Sequence, residues 1–362
     1  MTETLLLPDI HRGVEDLVSC TLEVGNVTAR RPIDLRDRDL DVLQALAELR
    51  YLTGQMLGAL AWGNYHGRFR SRLSALFSAG LVRRFRPPGR PGANHWVYEL
   101  APPGYRALRA QRADHAPRWR EAELHSFAYA EHDLELNALL CELAARAAAH
   151  VRARGPLLHA APFAMLGPRT GRIDPQHEGR PLEASSSNEL PAGYVVRPGR
   201  SQHGILEPDA TLLGTEATSG EPLTILIEYD RTRRSGKLLA KLPRYDSFLA
   251  DGWRRSRYAA FPGEPAVLFV LRDDEHLPHV LREADRELTA WVGPVGVDDL
   301  QGRFPGREEL AFTTRSRILA GADTVLQVSP QPSDGNGGWT ESAAIETPLP
   351  LSRLFRGRLP AQ

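Results

Sequence analysis

TILIEYDRTRRSGKLLAKL, residues 224–242, decides how this chain is read. It opens as an apolar, β-branched run, which predicts a strand ending in Glu228 and Asp230. Alternation places Glu228 and Asp230 on one face of that strand and Ile227 and Tyr229 on the other. A helix is expected next, roughly from Ser235 to Leu249, with Pro243 forcing a kink or a restart. The stretch also holds both lysines of a chain with 45 Lys+Arg, Lys237 and Lys241. On one continuous helix they stand one turn apart, on a face shared with Arg244, Tyr245 and Phe248. An ammonium is a compact point charge that can approach a phosphate oxygen or a metal-bound hydroxide, whereas the guanidinium fork is wide and planar.

Upstream, ILEPDATLLG and PLTILIEYD are joined by TEATSGE, short enough for a hairpin. The hairpin brings Asp209 alongside Glu228 and Asp230. Three carboxylates at one end of a sheet repel each other unless a cation is present. Hard oxygen ligands of this kind suit Mg²⁺ or Mn²⁺, which can position a scissile phosphate and activate water. Further strands are expected at PLLHAAPFAML (156–166), AVLFVL (266–271) and, as the last, ELAFTTRSRIL (309–319), with a helix over HLPHVLREADRELTAWV. AEHDLELNALLCELAARAAA (130–149) predicts a long helix with an apolar face through Leu134, Ala138 and Cys141. Its opening Glu131, His132, Asp133 and Glu135 match the preference of a helix N-terminus for acidic residues and need no function. A mixed sheet with flanking helices, an α/β layer arrangement, follows. Residues 167–204 read as a long loop, and the tail after Pro330 as loosely composed.

The preceding part of the chain is of a different kind. Between Ala61 and Arg120 twelve arginines face only Glu99 and Asp114, although the whole chain has a formal net charge of zero. One-sided clustering of this sort suits a polyanion. From Asp34 to about Arg112 the pattern is helix, helix, helix, hairpin, helix. Leu40, Leu43, Leu46 and Leu49 form one stripe, and Thr53 can cap a second helix. Phe69, Leu73, Leu76 and Phe77 bury one face of the third, leaving Arg68, Ser71 and Arg72 looking outward; Gly80 ends it. LVRRFRPPGRPGANHWVYEL gives two strands around a Pro/Gly-rich tip, with Arg84, Arg86 and Arg90 on or near it. Asn64, Tyr65 and His66 fill a turn. The order resembles the winged helix-turn-helix domains of bacterial DNA-binding proteins, which implies double-stranded DNA as partner.

Length and composition exclude several classes. At 362 residues the chain suits about two domains. No run approaches the ~18 apolar residues of a membrane span, so no membrane role is expected. Glu3 and Asp9 in the first thirty residues argue against a secretory signal, and Cys20 and Cys141 are too few for a disulfide framework, so the expected location is cytoplasmic. The sequence lacks a phosphate-loop signature, a nucleophile elbow and zinc spacing. His276 and His279 read as capping residues, and Tyr245 as a core or stacked aromatic rather than a nicking nucleophile.

Pro208-Asp209 followed by Glu228-Tyr229-Asp230 resembles the active-site pattern of the PD-(D/E)xK nuclease superfamily. The resemblance implies Asp209 and Glu228 as metal ligands and a lysine two residues beyond the Glu, where this chain has Asp230. Members whose lysine has moved to the following helix give Lys237 and Lys241 as candidates. The whole order, with EPDATLL, LIEYDR and KLPRY, is similar to the replication-relaxation family, linked to plasmid replication and DNA relaxation. The division expected is an N-terminal arm (1–33), a winged helix (34–115), a restriction-endonuclease-like domain (120–329) and a tail (330–362). Two functions follow: a DNA endonuclease or nicking factor using Mg²⁺ or Mn²⁺ at Asp209, Glu228 and Asp230, or a non-catalytic DNA-binding regulator with an inactive nuclease-like domain. A homodimer is left open.

Overall fold

The computed structural model of the chain describes residues 22–23, 33–63, 68–86, 96–113, 116–117, 119, 127–173, 206–215, 222–232, 236–250, 252–260, 265–288, 310–320, 324–328 and 344–348. The N-terminal unit comprises β1 (Leu22–Glu23), α1 (Asp37–Leu49), β2 (Leu52–Thr53), α2 (Gly54–Trp62), α3 (Arg68–Ser78), the β3–β4 pair (Val82–Phe85, Val97–Leu100) and α4 (Pro102–Gln111). Its four strands form one small sheet in the order β1-β3-β4-β2. Local chemistry sets these boundaries. The Thr53 hydroxyl accepts the Met56 backbone N–H at 3.2 Å and caps α2. Gly80, at φ +70, turns the chain out of α3 while Leu81 N–H returns to the Leu76 carbonyl.

The second unit is a seven-stranded sheet, β11-β10-β9-β8-β7-β6-β5. Its strands are β5 (Phe163–Leu166), β6 (Ala210–Thr215), β7 (Pro222–Asp230), β8 (Ala266–Leu271), β9 (Leu310–Thr314), β10 (Thr324–Val328) and β11 (Ala344–Pro348). β5, β6 and β7 run antiparallel, β7, β8 and β9 parallel, and β9, β10 and β11 antiparallel. The expected β6–β7 hairpin pairs Ala210 with Ile227. β8 is buried along its whole length, as the centre of a sheet covered on both faces requires.

The helices are α5 (Phe127–His150), α6 (Leu157–Ala160), α7 (Pro168–Gly171), α8 (Gly236–Leu239), α9 (Leu242–Ala250), α10 (Leu277–Leu288) and α11 (Arg315–Leu319). α5 covers one face of the sheet, against Ile225, Ile227, Tyr229 and Val270. α9 and α10 cover the other, against Leu226, Val267, Phe269 and Phe312. The result is a three-layer α/β arrangement. The core on the α5 side continues without interruption into α1, α2 and α3, so the boundary expected near residues 115–120 is bridged by shared apolar packing.

Three expectations need correction. PLLHAAPFAML is not one strand: Leu157–Ala160 form a helical turn before β5. ELAFTTRSRIL splits at Thr314, whose hydroxyl accepts the Arg317 N–H at 3.2 Å and starts α11. β9 is not the last strand, because β10 and β11 extend the sheet into the tail, where Val325 pairs with Thr347. The helix after β7 restarts, one of the two outcomes expected of Pro243: it is two helices, with Ala240 and Lys241 between them. Pro243, which has no N–H to offer, lies in the first turn of the second, so the chain restarts there.

Candidate functional site

The restart puts Lys241 at the head of α9, its carbonyl accepting the Arg244 and Tyr245 N–H groups. From there its ammonium pairs with Glu228 Oε2 at the C-terminal part of β7. The other Glu228 oxygen accepts the Tyr245 hydroxyl at 2.5 Å. Glu228 is 2% exposed and Tyr245 is fully buried. Asp209, just ahead of β6, accepts the Tyr229 backbone N–H at 2.8 Å. These positions follow from the hairpin register and from strand alternation, which turns Glu228 toward α9 and Tyr229 toward α5.

The long helix supplies the other wall. His132 Nε2 lies 2.9 Å from the Tyr229 carbonyl and 3.8 Å from Asp209 Oδ2, while Nδ1 is 3.4 Å from Asp133. The Tyr229 hydroxyl donates to Glu135 at 2.8 Å, and Arg231 pairs with Glu131. The acidic residues expected at the helix start lie in the second and third turns of α5, because the helix begins earlier, at Phe127, and there they grip the end of β7. His132 is the residue that sequence reasoning missed. Its signal was a histidine and four acidic or amide side chains (Glu131, Asp133, Glu135, Asn137) interrupting an otherwise apolar helix.

Electrostatics bind the cluster together. Burial, then the neighbouring Asp209, push the Glu228 carboxyl up to about 8, against the pull of Lys241 and Tyr245. Burial opposes the Lys241 ammonium, but Glu228 and Asp209 outweigh it and hold the group charged. Burial likewise opposes the His132 imidazolium, and Asp133, Asp209 and the Tyr229 carbonyl lift it to about 9. The Tyr245 phenol is pushed well above its ordinary range by burial and by Glu228. A fully buried, protonated phenol cannot reach a DNA phosphate, which removes it as a nicking nucleophile.

The remaining candidates lie elsewhere. Asp230 turns its Oδ1 to the Thr232 N–H and hydroxyl, at 2.8 and 2.9 Å, so the expected trio of carboxylates reduces to Asp209 and Glu228. Lys237 is exposed on α8 and shares no face with Lys241, because the helix breaks between them. As donors for a divalent cation the set does not fit in this arrangement. Both Glu228 oxygens are engaged, and among the described residues no three of His, Cys, Asp and Glu converge on a cation position.

In the N-terminal unit Ser71 is exposed, as expected. Arg72 is not turned outward: its Nε donates to Asp39 Oδ1 at 2.7 Å, and a second nitrogen reaches Asp39 Oδ2 and the Asp34 carbonyl. The physical reason is Asp39 itself, buried on α1 and needing a counter-charge. Arg84 stacks on Phe77 and Trp96, and exposed Arg86 stacks on Trp96. Arg68 opens α3. Arg90, Asn64, Tyr65 and His66 lie outside the described residues.

The family model of replication-relaxation proteins matches residues 43–263. The chain belongs to the replication-relaxation family. The match runs from within α1 past α9, so it takes in the arginine-rich part of the N-terminal unit together with Asp209, Glu228 and Lys241. Membership ties the chain to replication and relaxation and to nucleic acid. No curated protein and no solved structure matches it. Among the described residues no helix is long and apolar enough to cross a membrane.

Proposed function

We propose that this replication-relaxation protein binds double-stranded DNA in the cytoplasm through a winged helix-turn-helix unit, residues 34–115, as a regulator or factor of plasmid replication. The observation that carries this is the twelve arginines, set against two acids, between Ala61 and Arg120, the segment that includes α3, the β3–β4 pair and α4. The sheet is then a restriction-endonuclease-like scaffold whose carboxylate site is closed by the chain's own Lys241 and Tyr245. Binding of the whole chain to duplex DNA in a salt series tests the reading. Affinity should fall steeply with salt as counterions are released, and Arg68→Ala should weaken it. A flat salt dependence overturns it. Sedimentation of the free and DNA-bound chain reads whether a homodimer forms.

A second reading is favoured by one observation, the position of Lys241 beside Glu228 and Asp209 where a relocated nuclease lysine would be needed. Here Asp209 and Glu228 would hold Mg²⁺ or Mn²⁺ once Lys241 leaves Glu228, and the protein would cut or nick DNA. Supercoiled plasmid incubated with each metal decides between the two. Cleavage that disappears in Asp209→Ala and Glu228→Ala, with DNA binding spared, installs the second reading. Lys241→Arg should then impair cutting nearly as much as Lys241→Ala, because charge is kept but shape is not. Intact plasmid in both metals leaves the first reading in place.

A further inference from the structure

The arginines of the β3–β4 pair are not equivalent. Register sets Arg83 opposite Glu99, and the two form an ion pair at 3.7 Å. Arg84, on the opposite face of the strand by alternation, stands across from Tyr98 and hydrogen-bonds to its hydroxyl. The Arg84 guanidinium carbon lies 4.1 Å from the Phe77 ring centre and 4.1 Å from that of Trp96. The next arginine on that face, Arg86, stacks 4.3 Å from the same Trp96 ring and is exposed. Phe77 belongs to α3, Arg84 to β3, and Trp96 leads into β4. One continuous ladder, Phe77–Arg84–Trp96–Arg86, therefore ties the third helix to the hairpin.

Stacking occupies the π-face of a guanidinium and not its N–H edge, which is the plane in which exposed Arg86 would meet a phosphate. An arginine held this way also has less rotamer freedom to lose on binding. Glu99, the one acid between Arg68 and Leu100, is turned to the other face and neutralised by Arg83. Trp96 is already stacked by two guanidinium groups, so it is committed to holding them rather than offering a bare platform to an unpaired base.

From this we infer that the Phe77–Arg84–Trp96–Arg86 ladder is a preformed ledge for the phosphate backbone of duplex DNA, with Arg86 making the contact and Trp96 as its positioning residue. The inference rests on the DNA-binding reading above and specifies where in the unit the backbone is gripped.

Fluorescence anisotropy of the full chain on a labelled duplex, and on one of its strands alone, tests it across a salt series. Arg86→Ala, an exposed change that leaves the core untouched, should weaken duplex binding roughly tenfold and make the salt slope shallower by about one. Trp96→Leu should do the same although it removes no charge, and Trp96→Phe should restore most of the loss. If the parent binds duplex and Arg86→Ala and Trp96→Leu change neither affinity nor slope, the ledge is overturned while the DNA reading stands. If the parent binds no duplex, both fall. Single-strand binding tighter than duplex binding, lost in Trp96→Leu, overturns the ledge in favour of base stacking.

Discussion

Arg72 shows how a side chain chosen for one role is used for another. Its guanidinium closes on Asp39, which is 1% exposed, and on the chain leading into α1. Truncating it would strand a buried carboxylate, so Arg72→Ala should destabilise the fold by about 2–4 kcal/mol. Thermal melts of the purified variant check this, and an unchanged melting temperature would return Arg72 to the list of free DNA contacts. The carboxylate site makes a second residue-level prediction. Glu228 is lifted from its ordinary 4.5 to about 8, so the folded chain binds that proton more tightly than the unfolded chain. Its favourable share is complete below about 4.5 and is lost as pH rises through 8. His132, lifted from 6.5 to about 9, works in the same direction, with its share lost between those values. Stability should therefore decline by a few kcal/mol from about pH 6 to about pH 9. In Glu228→Gln only the His132 part of that decline should remain. Melts recorded across this range, parent beside variant, would contradict the assignment if both curves were flat.

At the scale of elements, the connection between α1 and β2 is a tight, strained turn. Arg50 sits at φ +66, and Tyr51 N–H returns to the Leu49 carbonyl at 2.7 Å, a γ-turn that a residue with a Cβ rarely adopts. Helix α5 holds it there. Asn137, 2% exposed, donates to the Leu49 and Tyr51 carbonyls at 2.7 and 2.8 Å, and Asp133 meets Arg50 at 3.3 Å. Asn137→Leu should cost about 1–3 kcal/mol by taking this donor from the buried Tyr51 carbonyl and leaving the Leu49 carbonyl to Tyr51 N–H alone, which urea unfolding would measure. Most elements around this turn were legible in the sequence. The Leu40–Leu49 stripe, the Thr53 cap, Gly80 and the β6–β7 alternation are local signals, and the chain obeys them. What was not legible is long-range. Nothing near Arg72 announces a partner 33 positions earlier, and nothing near His132 announces Asp209. The α11 turn was missed because β-branched Thr313 and Thr314 continue a strand pattern until the second threonine caps a helix instead.

On the scale of the whole molecule the decisive feature is the core shared by the two units. Leu43, Leu46, Leu57 and Leu60 of α1 and α2 belong to the same buried cluster as Leu139, Leu140 and Leu143 of α5 and as Ile225 and Ile227 of β7. Composition had pointed to a basic module beside a part of a different kind, because charge is a surface property that says nothing of how two apolar faces meet. Two domains joined by a linker would unfold independently. Here, separating residues 33–113 from the rest would leave a face of leucines without its cover, an exposed patch that favours association over folding. The full chain is therefore expected to unfold in one cooperative denaturant transition, followed alike by far-UV circular dichroism and by tryptophan fluorescence. The fragment 33–113, expressed alone, should show no cooperative melt and should associate. Two separated transitions in the full chain, or a monomeric fragment with a sharp melt of its own, would show that the shared core contributes little. If the single transition is found, duplex DNA added in excess should raise the midpoint for the entire chain, site included, because a ligand that binds only the folded state stabilises every part that folds with it.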